Sequence, residues 1–390
     1  MPTVDTVTLQ TAVAARYSRY LAELEGLVNL DCGSYTPVGV NAVADVVSAS
    51  LAELGAQVER IPHQPQSGQP ALGDLVVGHL EEGGPRLLLI GHMDTVFGEG
   101  TAAARPFRTD RDRALGPGVS DMKGGLLAGL HAIAALHEAG FRPSVTFVAN
   151  PDEEIGSPFS TPRIRELAGQ HDAALVLECA RANGDIVSAR KGIADFEIRL
   201  TGRAAHAGVE PEKGRSAILE AARQVIALHG LNGRWPSVTL NVGVIEGGSR
   251  PNVVAEACRL EVDLRAATVD ELELAAAEVR SLVTHTTVDG VAVELTRLAY
   301  HPPMERTPPS ARLAALASTI AGELGFIVHD AATGGASDAN TTSAAGLPSL
   351  DGLGPVGGDD HSIEEWLDLT SVVPRTTLLA SLMARIGEAL

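Results

Sequence analysis

Five short islands of acid and histidine constrain this chain more than any other feature. They are Gly91-His92-Met93-Asp94-Thr95, Ser120-Asp121-Met122-Lys123-Gly124-Gly125, Asp152-Glu153-Glu154, Leu177-Glu178 and Asp359-Asp360-His361. Most follow an apolar, strand-like run. A fold that brings them together collects two histidines and several carboxylates in one place. Buried carboxylates repel one another or take up protons unless cations lie between them. Convergence therefore points to a pair of metal ions and to hydrolytic chemistry.

The rest of the composition narrows the field. The chain has 390 residues, which favours two domains over one core. Its net charge of −19, from 30 basic and 49 acidic residues without a Lys/Arg run, argues against nucleic acid or an anionic membrane as partner. The three cysteines, Cys32, Cys179 and Cys258, form neither a CxxC pair nor a disulfide framework. Residues 1–30 lack the pattern of a secretion signal, and no apolar window is long enough to span a membrane. A cytoplasmic location is the resulting expectation.

Periodicity predicts helices over 8–29, 39–55 and 122–139, with strands at 74–80, 86–91, 144–150 and 173–177. Leu87-Leu88-Leu89-Ile90 reads as a strand buried on both faces. This alternation predicts an α/β layer structure. From about residue 190 the texture changes. Ala194–Leu200 alternates as a half-solvated strand does, and the order becomes strand 193–201, helix 213–229, strands 237–246 and 253–265, helix 269–284, strand 290–297. This split βαβ order predicts an inserted α+β domain of ferredoxin-like type. The expected division is 1–189 and 300–390 for a mixed-sheet catalytic domain and 190–299 for the insertion. The Pro-rich stretch 301–309 would be the return linker, and helices at 310–324 and 370–388 complete the first domain.

Each island admits a plain reading and a chemical one. His92 and Asp94, two apart in extended chain, face the same way, so one can bind metal while the other orients it; a turn after a strand would look the same. Asp121 before Gly124-Gly125 is either a helix N-cap or a carboxylate bridging two cations, which sit roughly 3.5–4 Å apart in two-metal sites. Glu153 and Glu154 point to opposite sides in extended chain, so one can ligate while its neighbour acts as general base; a solvated acidic loop is the alternative. Glu178 closes an apolar strand, where it needs a partner or an exposed edge. Asp359-Asp360-His361 follows a glycine-rich run that permits either close backbone approach or a flexible loop.

Order and context together resemble the M20-type metallopeptidases and amidohydrolases, in particular the glutamate carboxypeptidase-like branch. The resemblance spans nearly the whole chain. It rests on Gly91–Val96, Gly118–Gly125, Asp152–Ser157, Gly202-Arg203-Ala204-Ala205-His206-Ala207-Gly208 and Gly334-Gly335-Ala336-Ser337-Asp338. It implies a di-zinc aminopeptidase-like catalytic domain with an inserted dimerisation domain, and two Zn2+ per chain, with Co2+ or Mn2+ as alternatives. His92 and Glu178 would hold one ion, Glu154 and His361 the other, and Asp121 both. Asp94 would orient His92, and Glu153 would be the general base. His206 would reach the scissile carbonyl of the partner subunit in a homodimer. Asn252 and Arg265 would hold the substrate carboxylate and carbonyl region.

Two departures separate the chain from that branch. His301 stands where the branch places an arginine, which weakens the case for glutamate as the released residue. The segment Ile186–Gly192 has the Arg-x-Gly form of other members. The expected activity is hydrolysis of an amide next to a free carboxylate, by a carboxypeptidase acting on small peptides. An N-acyl amino acid deacylase is the alternative, and a catalytically inactive binding protein a remote one.

Overall fold

The computed structural model describes residues 5–390, which form two compact units. The first comprises the chain up to Ser188, Arg306–Ala332 and Ser337–Leu390; the second comprises Ala189–Glu305 and Thr333–Ala336. The second unit thus runs six residues beyond 299, because its last strand, Ala292–His301, extends past that point. It also takes the short return segment Thr333–Ala336, which the expected division assigns to the first domain. Among the described residues, no helix is long and apolar enough to cross a membrane.

The first unit is built on a six-stranded mixed sheet. Gly83–His92 lies at its centre, parallel to both Pro143–Asn150 and Ala173–Val176. Leu87, Leu88, Leu89 and Ile90 are all buried, as expected of a strand covered on both faces. Burying each such side chain contributes about 1.5–3 kcal/mol. Leu75–Leu80 and Gln57–Ile61 extend one edge in antiparallel fashion, and Ser349–Leu350 adds a parallel strand at the other. The helix Gly124–Glu138 is buried from Gly124 to Leu136 and packs with Thr6–Val28 and Val372–Arg385. Asp5 caps Thr6–Val28 by accepting from Thr8 N at 2.8 Å, and Thr307 caps Pro308–Glu323. A second, antiparallel four-stranded sheet joins Arg108–Asp110, Arg113–Leu115, Gly357–Gly358 and Trp366–Asp368.

The second unit is a four-stranded antiparallel sheet with helices Ala217–His229 and Val269–Thr284. Numbered in chain order its strands lie 2-3-1-4, the ferredoxin-like arrangement. Ala194, Phe196, Ile198 and Leu200 point inward and meet Leu260, Val262 and Leu264. The alternation read from the sequence is this inward and outward succession.

Several boundaries moved for physical reasons. The helix predicted from 122 begins at Gly124, because Asp121 and Met122 have non-helical backbone. The helix predicted from 213 begins after Ser216, whose side chain caps it. The strand predicted from 253 begins at Ala257. The helices Thr161–Ala168 and Asp338–Ala344, and the strands of the small sheet, are too short to carry a periodic signal.

Candidate metal centre

Parallel pairing explains why distant islands meet. His92 is in register with Asn150, and Ile90 with Val176, so three strands end at the same edge of the sheet. Just beyond those ends come His92–Asp94, Glu153-Glu154 and Glu178. Clefts at the carboxyl ends of such strands are where α/β folds place their ligands. Asp121 enters from the segment before Gly124–Glu138. That helix lies so close that a Cβ on Gly125 would sit 1.8 Å from Leu177 O. The glycine-rich segment brings His361; a Cβ on Gly357 would meet Ser120 Oγ at 1.9 Å.

Asp121 is not a helix cap. Its two oxygens face two histidines, with Oδ1 3.0 Å from His92 Nε2 and Oδ2 3.0 Å from His361 Nε2. His361 Nε2 also lies 3.1 Å from Glu154 Oε2, and His92 Nε2 lies 3.8 Å from Glu178 Oε1. Donor atoms of His92, Asp121 and Glu154 fall within 4.8 Å of one another, as do those of His92, Glu153 and Glu178. The Nδ1 of His92 lies 3.0 Å from the backbone oxygen of Asp94 and 3.4 Å from its Oδ1. A proton on Nδ1 satisfies these acceptors and leaves the Nε2 lone pair for a ligand. The Asp94 carboxylate also accepts from Ser34 Oγ at 2.7 Å, Glu153 N at 3.1 Å and Glu154 N at 3.2 Å. One buried aspartate thus fixes His92 and the Glu153-Glu154 turn together.

The electrostatics fit cations. Burial alone would lower the His92 pKa, but hydrogen bonds to Asp121 and Asp94 outweigh it and raise it well above 6.5. Hydrogen bonds to Asp121 and Glu154 push His361 up to about 11. Asp121 is held low despite its burial, by His361 and His92, while burial keeps Glu153 and Glu154 above the usual carboxylate range. The residues alone balance this cluster by holding protons. Two imidazoles with several carboxylate oxygens are also a donor set that suits zinc, cobalt or manganese.

A supporting layer surrounds these residues, and the sequence pattern points to Asp152 and Asp338 but not to Glu365 or Arg375. Glu365, buried to 1% exposure, accepts backbone N–H groups around Asp121. Asp338 accepts from Asn150 Nδ2 at 2.6 Å and Ser157 Oγ at 2.7 Å, flanking the Glu153-Glu154 turn. Burial raises the neighbouring Asp152 to about 7, although Ser160 and the amide of Phe159 donate to it. The buried Arg375 donates to Gly184 O, Gly352 O and Gly354 O and so fixes the glycine-rich segment.

The remaining candidates lie in the second unit. The amide of Gly208 donates to His206 Nδ1 at 3.1 Å, so a neutral ring carries its proton on Nε2 and can donate from there. Ala207 N donates to Asn252 O at 3.0 Å, which places Asn252 beside His206. Arg265 and His301 are both in register with Ile193, on either side of it, and so share one face of the sheet. Arg265 grips Asp263 with Nε at 3.0 Å and Nη2 at 2.8 Å, and donates from Nη1 to Gly334 O at 2.8 Å. These contacts use three of its five N–H groups. Burial lowers the pKa of His301, favouring the neutral ring.

Comparison with known proteins places this architecture. Residues 88–385 match the family described as peptidase family M20/M25/M40. Carboxypeptidase G2 of Pseudomonas sp. (strain RS-16) is 30% identical over 370 residues, which cover 93% of this chain and 88% of that one. An acetylornithine deacetylase of Myxococcus xanthus is 30% identical over 257 residues, 63% of this chain and 66% of the other. The crystal structure of a tripeptidase from Staphylococcus aureus superposes with a TM-score of 0.79 at 21% identity, covering 95% of this chain and 99% of that one. The chain is a hydrolase and belongs to peptidase family M20/M25/M40.

Proposed function

We propose that the protein is a two-zinc amide hydrolase that releases a C-terminal amino acid from small peptides, at a bond next to a free carboxylate. The observation that carries this reading is Asp121, with one oxygen against His92 and the other against His361, beside a glutamate pair that Asp94 holds by its backbone. His92, Asp121 and Glu178 would hold one ion and His361, Asp121 and Glu154 the other. When bound, a pair of divalent ions supplies Lewis acidity, bringing the pKa of water toward about 7 and balancing oxyanion charge. Glu153, next to the ligand Glu154, takes the proton of the attacking water and returns it to the amine nitrogen as the C–N bond breaks. His206 donates Nε2–H to the oxyanion, and in a homodimer formed through the second unit it serves the partner's site. The two remaining N–H groups of Arg265, helped by Asn252, hold the substrate carboxylate. A neutral His301 holds a second carboxylate weakly, which favours a small or apolar released residue over glutamate. The three buried, unpaired cysteines suit the reducing cytoplasm.

An N-acyl amino acid deacylase is the second reading, supported by the similarity to a protein named acetylornithine deacetylase. The two readings differ in which side of the amide is recognised. Zinc-loaded protein assayed on dipeptides and on N-acyl amino acids, each with a free or an amidated carboxyl group, separates them. The expected outcome is hydrolysis of free-carboxylate substrates, with kcat/KM varying most across the released residue. A dominant dependence on the acyl group favours the deacylase, and no turnover of any substrate overturns both. Sharing of His206 is tested by mixing His206→Ala with Glu153→Ala chains. Activity should reappear on subunit exchange, and its absence after confirmed exchange removes the cross-subunit role.

A further inference from the structure

Asp121 has to present two oxygens to two histidines, yet its backbone lies outside any helix (φ −114, ψ 93), so no regular hydrogen-bond ladder fixes it. The fixing group comes from the far end of the chain. Glu365 Oε1 accepts from Ser120 N at 2.9 Å and Asp121 N at 3.1 Å, and Glu365 Oε2 accepts from Gly118 N at 2.9 Å. The three amides offset part of the cost of burying this carboxylate. Glu365 also lies four residues after His361. The turn between them is stitched on itself: Ser362 N and Oγ donate to Asp359 O, and Trp366 Nε1 donates to Asp359 Oδ2 at 3.0 Å. His361 is otherwise an exposed residue with a positive φ of 61°. The same side chain therefore anchors both segments whose residues meet at Asp121 Oδ2 and His361 Nε2.

We infer that Glu365 is a positioning residue, which sets the separation of Asp121 from His361 and thereby the affinity for the ion held by Asp121, Glu154 and His361. This inference rests on the two-ion reading of the site. Releasing Glu365 loosens two of the three ligands of that ion, but only Asp121 among the ligands of the ion at His92 and Glu178. Outer residues that orient ligands typically change metal affinity about 10–100-fold. Glu365→Gln keeps an oxygen for Ser120 and Asp121 but turns a donor toward Gly118 N; Glu365→Ala removes all three acceptor contacts.

The test is isothermal titration of the chelated protein with zinc, with the occupied positions read from zinc anomalous diffraction. The expected result is that the Asp121–Glu154–His361 ion weakens about tenfold in Glu365→Gln and about a hundredfold in Glu365→Ala. The other ion should stay within about threefold of its wild-type affinity. Should Glu365→Ala fail to fold, the isosteric Glu365→Gln still decides. Two ions bound with wild-type affinity in that variant, or equal weakening of both, overturns the inference. A wild-type protein that takes up only one ion overturns the two-ion reading itself, a different failure.

Discussion

In the first unit, the clustered acids face histidines; in the second, the acids on the outer face of the sheet face arginines. Asp121 and Glu154 meet His92 and His361, whereas Glu197, Glu261 and Asp263 meet Arg199, Arg259 and Arg265. The difference is chemical. An arginine keeps its charge at any ordinary pH, so an arginine–carboxylate pair is complete in itself. An imidazole is a cation only while it holds a proton, and it gives up that proton to become a ligand. On the proposed function, the first arrangement would exchange protons for metal ions, and the second would be a rigid support that leaves part of Arg265 for an anion. Catalysis should therefore fail in distinguishable ways when each is disturbed.

The largest effect is expected at Glu153. Its side chain belongs to the histidine-rich cluster, but its proposed task is proton transfer. Glu153→Gln should lower kcat by about 10²–10⁴-fold while both ions remain bound, measured by steady-state kinetics beside metal analysis. Loss of metal in that variant would make Glu153 a ligand instead. At Arg265 the comparison turns over: Arg265→Lys keeps the charge but loses the planar fork. It should cut kcat/KM about tenfold for substrates with a free carboxylate and leave amidated ones unchanged, at wild-type metal content. Equal loss on both substrate types would show that Arg265 supports the sheet and does not grip the substrate.

A smaller effect is expected from pH. In chelated protein, hydrogen bonds to Asp121 and Glu154 raise His361 to about 11. A raised folded-state pKa adds stability that is fully present below the unfolded value near 6.5 and is lost as pH rises toward 11. Chelated protein should thus lose stability over that window. Zinc must displace the same protons, so its affinity should rise with pH, and titration in buffers of different ionisation enthalpy should show proton release on binding. A pH-independent zinc affinity would erase the distinction between the two units.

How much of this was legible depends on what each residue bonds to. The long periodic helices, the doubly buried strand Leu87–Ile90 and the alternating strand Ala194–Leu200 carry their environment in their own spacing. His92, Asp94, Asp121, Glu153, Glu154, Glu178 and His361 stood out as islands of acid and histidine; parallel pairing brings the residues after three strands to one edge, and the segments before Gly124–Glu138 and after Gly358 bring Asp121 and His361. Glu365 and Arg375 did not stand out, and Asp338 did so only as the end of the stretch Gly334–Asp338. Their partners are backbone amides, small side chains or carbonyl groups, which leave no residue pattern in a sequence. Nor could spacing reveal that Arg265 and His301 share a sheet face, because that follows from strand register around Ile193.

On the proposed function, the single carboxylate of Asp121 serves two ions. Metal content decides it, measured by elemental analysis after chelation and re-addition of zinc to wild-type protein and to Asp121→Ala. The expected result is two ions per chain in the wild type and no more than one in the variant, because each proposed ion loses a shared ligand. A wild-type content that never exceeds one ion per chain, or two ions retained without Asp121, would contradict it.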